Sequence, residues 1–165
     1  MICISTEEMR RFIAYIALVV MALLATNAEA QTIALGERIP HLKKAKWLDG
    51  NTPAKSQYTY IEFIHSASTP CRRSAERIYG IVKEFDNVAF ILISHQSAAD
   101  IDQWVTSYIT PRAGVIVDGG SILDSFGVNY APYAVVLDHK HRALWFGNPQ
   151  QLDRATIENL FAICR

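Results

Sequence analysis

The chain has 165 residues, 50% hydrophobic and 19% charged, which is enough apolar side chain for one compact core and too little length for two. Sixteen Lys plus Arg balance sixteen Asp plus Glu, so the broad basic surface that holds nucleic acid or an anionic membrane is missing. Three cysteines, Cys3, Cys71 and Cys164, are too few and too far apart for a disulfide framework or a zinc site of paired cysteines, which leaves a small enzyme or a binding module.

Arg10 and Arg11 precede the apolar run from Phe12 to Ala25, which is shorter than the ~20 residues a membrane-spanning helix needs. Ala28-Glu29-Ala30 then places small residues where signal peptidase cuts. Residues 1–30 are therefore expected to be a secretory signal and residues 31–165 the mature domain, periplasmic or secreted and free of the membrane. A start at Met9 would remove Glu7 and Glu8, which suit a positively charged leader poorly. Cleavage takes away two basic and three acidic residues, leaving 14 against 13, and the mature chain keeps two cysteines in a compartment that permits disulfides.

After the turn signal Asp49-Gly50-Asn51-Thr52-Pro53, the aromatic and β-branched run Tyr58 to Ile64 predicts a central strand. Ala75, Ile78, Ile81, Val82 and Phe85 recur at helical spacing and predict a helix from about Pro70 to Phe85. Val88 to Ser94 is a continuous apolar run, as in strands buried on both faces. Ile101, Trp104, Val105 and Tyr108 predict a helix over 100–109. A short strand at Gly114 to Val117 and a short helix from Ser121 to Phe126, ended by Gly127, come next. Tyr133 to Leu137 and Ala143 to Phe146 form a hairpin through Asp138-His139-Lys140-His141, and Leu152 to Ile163 closes the chain as a helix. The resulting order predicts an α/β fold with a mixed central sheet flanked by helices.

Candidate chemistry lies where the central strand hands over to a helix, at Ser66-Ala67-Ser68-Thr69-Pro70-Cys71-Arg72-Arg73. Ser68 or Thr69 can cap that helix, and proline is tolerated early in it because its missing N–H would be unpaired anyway. Cys71 in the first turn admits two readings. The helix dipole and the adjacent arginines favour the nucleophilic thiolate, whereas a small residue there can equally pack inward as a weak hydrophobe. The five histidines match no Cys/His ligand spacing, and neither a metal nor a cofactor is expected.

These segments, in this order, resemble the thioredoxin-like thiol-disulfide oxidoreductases of the TlpA and ResA type. The resemblance runs from about Gly36 to Phe161. Gly36-Glu37-Arg38-Ile39-Pro40 with Leu48-Asp49-Gly50 is similar to the family's N-terminal segment and implies an N-terminal β-hairpin extension. Tyr60-Ile61-Glu62-Phe63 is similar to the strand before the active site, and Ser68-Thr69-Pro70-Cys71-Arg72 stands in place of Cys-x-Pro-Cys-Arg. Phe126-Gly127-Val128 and the run Tyr130 to Asp138 are similar to the family's Tyr-Gly-Val and its cis-proline strand. The resemblance implies Cys71, Ser68 and Glu62 as catalytic candidates, with Glu62 as a buried acid that exchanges protons with the thiol. It implies that Thr69, Pro70, Ala131 and Pro132 meet the substrate, the last two as a cis pair presenting a backbone edge. The implied partners are protein or peptide thiols and disulfides of the cell envelope, met by a monomer.

Ser68 departs from the family where the attacking cysteine should be. A serine hydroxyl stays protonated at neutral pH and cannot attack or form a disulfide, so the ordinary dithiol cycle cannot run through this motif. A last helix of about twelve residues would carry Cys164 ~18 Å from its start. That is well beyond the roughly 7 Å between Cα atoms that a disulfide allows, so no Cys71–Cys164 bond is expected. Two alternatives stay open. One is a peptide-binding module with a silent thiol. The other is a peroxiredoxin-like peroxidase, for which Ser68 and Cys71 have the right spacing. There Ile64 stands where that family has proline, and the activating arginine would have to be Arg112 or Arg142.

Overall fold

The computed structural model describes residues 33–39, 42, 45–50 and 52–162, together with residue 7. The chain divides into two compact units, Met1–Ala30 and Gln31–Arg165, and every element of the sheet lies in the second. The segment expected to be a signal, apart from residue 7, lies outside the described residues, as do Cys3 and Cys164.

Six strands form one mixed sheet: β1 (Lys46–Trp47), β2 (Tyr58–Phe63), β3 (Val88–Ile93), β4 (Ala113–Val117), β5 (Tyr133–Asp138) and β6 (Ala143–Gly147), in the spatial order β1-β4-β3-β2-β5-β6. Strands β2, β3 and β4 run parallel, while β1, β5 and β6 pair antiparallel with their neighbours. The three helices are α1 (Thr69–Val82), α2 (Gly120–Ser125) and α3 (Arg154–Ala162). β2 and β3 lie in the middle of the sheet, and β3 is buried at each of its six positions. This is why Val88 to Ser94 reads as an unbroken apolar run.

Alternation along β2 sorts its side chains between two cores. Tyr58, Tyr60 and Ile64 join Cys71, Ala75, Ile78 and Val82 of α1 on one face, closed by Leu152, Ile157 and Phe161. Ile61 and Phe63 join Ile91, Ile93, Ile116 and Val135 on the other, where α2 contributes Ile122 and the following Phe126.

The N-terminal β-hairpin is not formed among the described residues. Arg38 instead bridges to Arg142 beside β6, while Lys46 and Trp47 pair with Val117 and Ile116 on β4. Ile39, Leu42, Ala45 and Trp47 of this segment pack on the second core. Gly36 and Glu37, bonded to Ala143 of β6, and β1, bonded to β4, thus cover edge backbone groups that would otherwise invite foreign strands.

The helix expected over 100–109 is a 3₁₀ segment, Gln103–Tyr108. Asp102 stands at its cap position without a side-chain cap bond, and Thr106 and Ser107 hydroxyls donate to the carbonyls of Gln103 and Trp104. Those bonds compete with an α-helical ladder in a stretch of weak helix formers. The closing helix likewise starts later than expected, after a 3₁₀ turn at Pro149–Gln151 capped by Asn148.

Candidate active site

β2 delivers the chain to α1 through a tight loop at the carboxyl end of the parallel strands, where open α/β sheets commonly hold their ligands. Ile64 N–H donates to Ile93 O at 2.8 Å, and Ser68 N–H donates to His65 O at 2.9 Å. Ser68 adopts extended φ/ψ of −87° and 113° and is the N-cap, its Oγ accepting from Cys71 N–H at 3.5 Å. Pro70 follows in the first turn, where no partner for its nitrogen is required.

Within that turn Thr69 and Pro70 are exposed and Ser68 is partly so, but Cys71 has no accessible surface. Its thiol is free of any disulfide and packs among the apolar residues of the first core. Its sulfur accepts one hydrogen bond, from His65 N–H at 3.5 Å. Arg72 is turned along the exposed face of α1 to Glu76, at 2.9 Å. Of the two readings of Cys71 that its position allows, inward packing is the one the structure shows.

Ser66, which the sequence placed in this segment without a role, fixes the loop. This buried residue donates its N–H to Gln96 Oε1 at 2.7 Å. Its hydroxyl accepts from Asp102 N–H at 3.0 Å, and its carbonyl accepts from the Trp104 indole at 2.8 Å. Three bonds to partners at least 30 positions away tie the loop to the end of β3 and to the 3₁₀ segment. Only the aromatic, half-polar character of Trp104 hinted at such a partner in the sequence.

Glu62 is buried on the α1 side of the sheet. Tyr60 Oη donates to its Oε2 at 2.7 Å, while its Oε1 and the hydroxyl of Ser74 are buried without a hydrogen-bond partner. Burial raises the Glu62 carboxyl to about 7, against the Tyr60 bond and the positive charge of Arg77, which pull it down. Burial, reinforced by that carboxylate, pushes Tyr60 well above its ordinary value. Arg77 is held in place by bonds to Leu152 O at 2.6 Å and Pro149 O at 2.5 Å. The result is a carboxyl able to hold or release a proton near neutral pH on the core side where Cys71 also packs.

The Ala131–Pro132 peptide is cis. Tyr133 pairs with Phe63, so this peptide lies at the same end of the sheet as the loop from His65 to Pro70. Pro132 is buried and Ala131 exposed, and the exposed Tyr130 sets its ring against Tyr133 at 5.3 Å between centroids.

Neither arginine named for a peroxide site reaches this end. Arg112 donates to Phe85 O at 2.6 Å and pairs with Asp86, and Arg142 binds Asp138 in the β5–β6 turn, both at the amino end of β2 and β3. His65 and His95 face each other with ring centroids 5.4 Å apart, and no group of three potential metal ligands occurs among the described residues.

No protein-family model and no curated protein matches the chain. Solved structures do. A thioredoxin-like protein from Aeropyrum pernix matches with a TM-score of 0.57 at 13% identity, over 89% of this chain and 98% of its own. The thioredoxin domain of a thiol-disulfide oxidoreductase from Bacteroides vulgatus matches with a TM-score of 0.62 at 15% identity, over 78% of this chain and 98% of its own. A Cys-to-Ser variant of PrxQ from Xylella fastidiosa matches with a TM-score of 0.59 at 13% identity, over 81% of this chain and 96% of its own. The fold is therefore thioredoxin-like, with a mixed six-stranded sheet flanked by helices, and its solved neighbours include thiol-disulfide oxidoreductases and a peroxiredoxin.

Proposed function

We propose that this chain is an exported thioredoxin-fold protein of the TlpA/ResA-like thiol-disulfide oxidoreductase type whose dithiol cycle has been lost. The observation that carries the reading is the contrast within one helical turn: Ser68 occupies the accessible corner, and the sulfur of Cys71 is wholly buried beneath it. In two-cysteine exchange one thiolate attacks the substrate disulfide and a second releases the mixed disulfide. Here only the inner position holds sulfur. A folded protein disulfide has no path to it, so any exchange that remains is monothiol, slow, and dependent on an external thiol as resolver. The partners are protein or peptide thiols and disulfides of the cell envelope, and the edge at Ala131 and Pro132 offers backbone groups to an extended chain.

The same burial, with Tyr130 exposed beside that edge, favours a second reading in which the thiol is silent and the protein only binds peptide. Thiol accessibility tests both. In the full chain with Cys3→Ser and Cys164→Ser, Ellman's reagent should modify Cys71 about 100-fold more slowly than in the same chain unfolded in guanidinium. Modification at the unfolded rate would overturn both readings. Slow but complete capture by glutathione disulfide supports the monothiol form, and inertness supports binding only.

A further inference from the structure

We propose that a cavity at the end of the sheet opposite Cys71 binds a small aromatic carboxylate. It measures about 320 Å³, within the size range of small-molecule sites. Its floor is Thr59, Ala89 and Ile91, on the face of β2 and β3 that α2 leaves uncovered. α2 packs at the other end of that face, where Phe126 meets Phe63 at 5.2 Å between ring centroids.

The wall is built by Trp47 and Pro53, which lie so close to β4 that a Cβ on Gly114 would meet both at 2.9 Å. Glycine at 114 lets the indole and the proline ring settle against the sheet and turn an apolar surface toward the cavity. The segment that carries Pro53 is held down by Ala54 N–H donating to Pro111 O at 2.9 Å. The cavity is therefore framed by elements fixed at several points.

The rim sets the charge of the ligand. Lys55, His139 and His141 line the cavity and are exposed, and Asp138 is the one acid among its described lining residues. Both Asp138 oxygens are already engaged, Oδ1 by the N–H groups of Lys140 and Arg142 and Oδ2 by the Arg142 guanidinium. An incoming anion thus finds the cationic Lys55 among the lining residues, while its ring lies against Trp47 and Pro53. A cation would meet Lys55 with no free carboxylate to offset it. Thr59 and Phe63 mark opposite ends of β2, so this site does not rest on the thiol reading.

Calorimetric titration of the full chain with 1-naphthoate tests the proposal, using 1-naphthylmethylammonium as the ring-matched cation. The expected result is saturable one-to-one binding of the anion, weakened about fivefold or more by Lys55→Glu, abolished by Thr59→Trp, unchanged by Cys71→Ser, and much weaker for the cation. Lys55 is exposed, so its variant should fold even if the Thr59 variant does not. Absence of saturation up to millimolar ligand, equal affinity for the two charges, or indifference to Lys55→Glu would each overturn it.

Discussion

Burial makes the charge of Glu62 costly to the fold. Its carboxyl is raised from 4.5 to about 7 by burial, so the folded chain binds a proton that the unfolded chain has released between those values. The stability it contributes is full below about pH 4.5 and is lost as pH rises through 7, a change on the order of 3 kcal/mol. Glu62→Gln keeps an acceptor for Tyr60 and removes the charge. Urea titrations should find the variant more stable than wild type at pH 8 and equal to it at pH 4.5. Equal pH profiles would show that Glu62 does not titrate in this range. The sequence exposed Glu62 because it interrupts an apolar strand. It hid Ser66, whose partners Gln96, Asp102 and Trp104 stand 30 to 38 positions away and leave no local pattern. Ser66→Ala orphans the Asp102 N–H and should cost about 1–2 kcal/mol in the same titrations.

Among the elements, those with strong periodicity were legible and those decided by side-chain bonds were not. α1 begins where Ser68 and Pro70 say it should, since cap and early proline act locally. The stretch at 103–108 carries an apolar stripe like a helix, yet Ser66 accepts from the N–H of Asp102 before it and from the Trp104 indole, and its own hydroxyls donate to two of its carbonyls. Close approach decides other positions. A Cβ on Gly119 would fall 2.7 Å from Ile93 and 3.0 Å from the Ser94 carbonyl, so Gly119→Ala should destabilise by about 1–3 kcal/mol. α1 is tied to the turn before α3 by the two Arg77 bonds to carbonyls of Leu152 and Pro149. Arg77→Met should cost about 2–4 kcal/mol, and because Arg77 also draws the Glu62 carboxyl down, it should move the pH midpoint of the Glu62 effect upward. An unchanged midpoint would separate the two residues.

At the scale of the molecule, the alternation of strands and helices foretold the mixed sheet, and Ser68-Thr69-Pro70-Cys71 marked the start of α1 at the carboxyl end of its parallel strands. The route of the N-terminal segment was not legible, because its pairings with β6 and β4 are non-local and each is only one or two residues long. Burial of Cys71 was equally undecided by position, since a residue in a first helical turn can face either way. The central claim, that the fold persists while dithiol exchange is lost, is tested most directly by reduction of insulin with dithiothreitol. The wild-type chain should run at the uncatalysed rate, and Ser68→Cys should raise it about tenfold or more, in a manner that requires Cys71. Wild-type reduction well above background that survives Cys71→Ser would contradict the account.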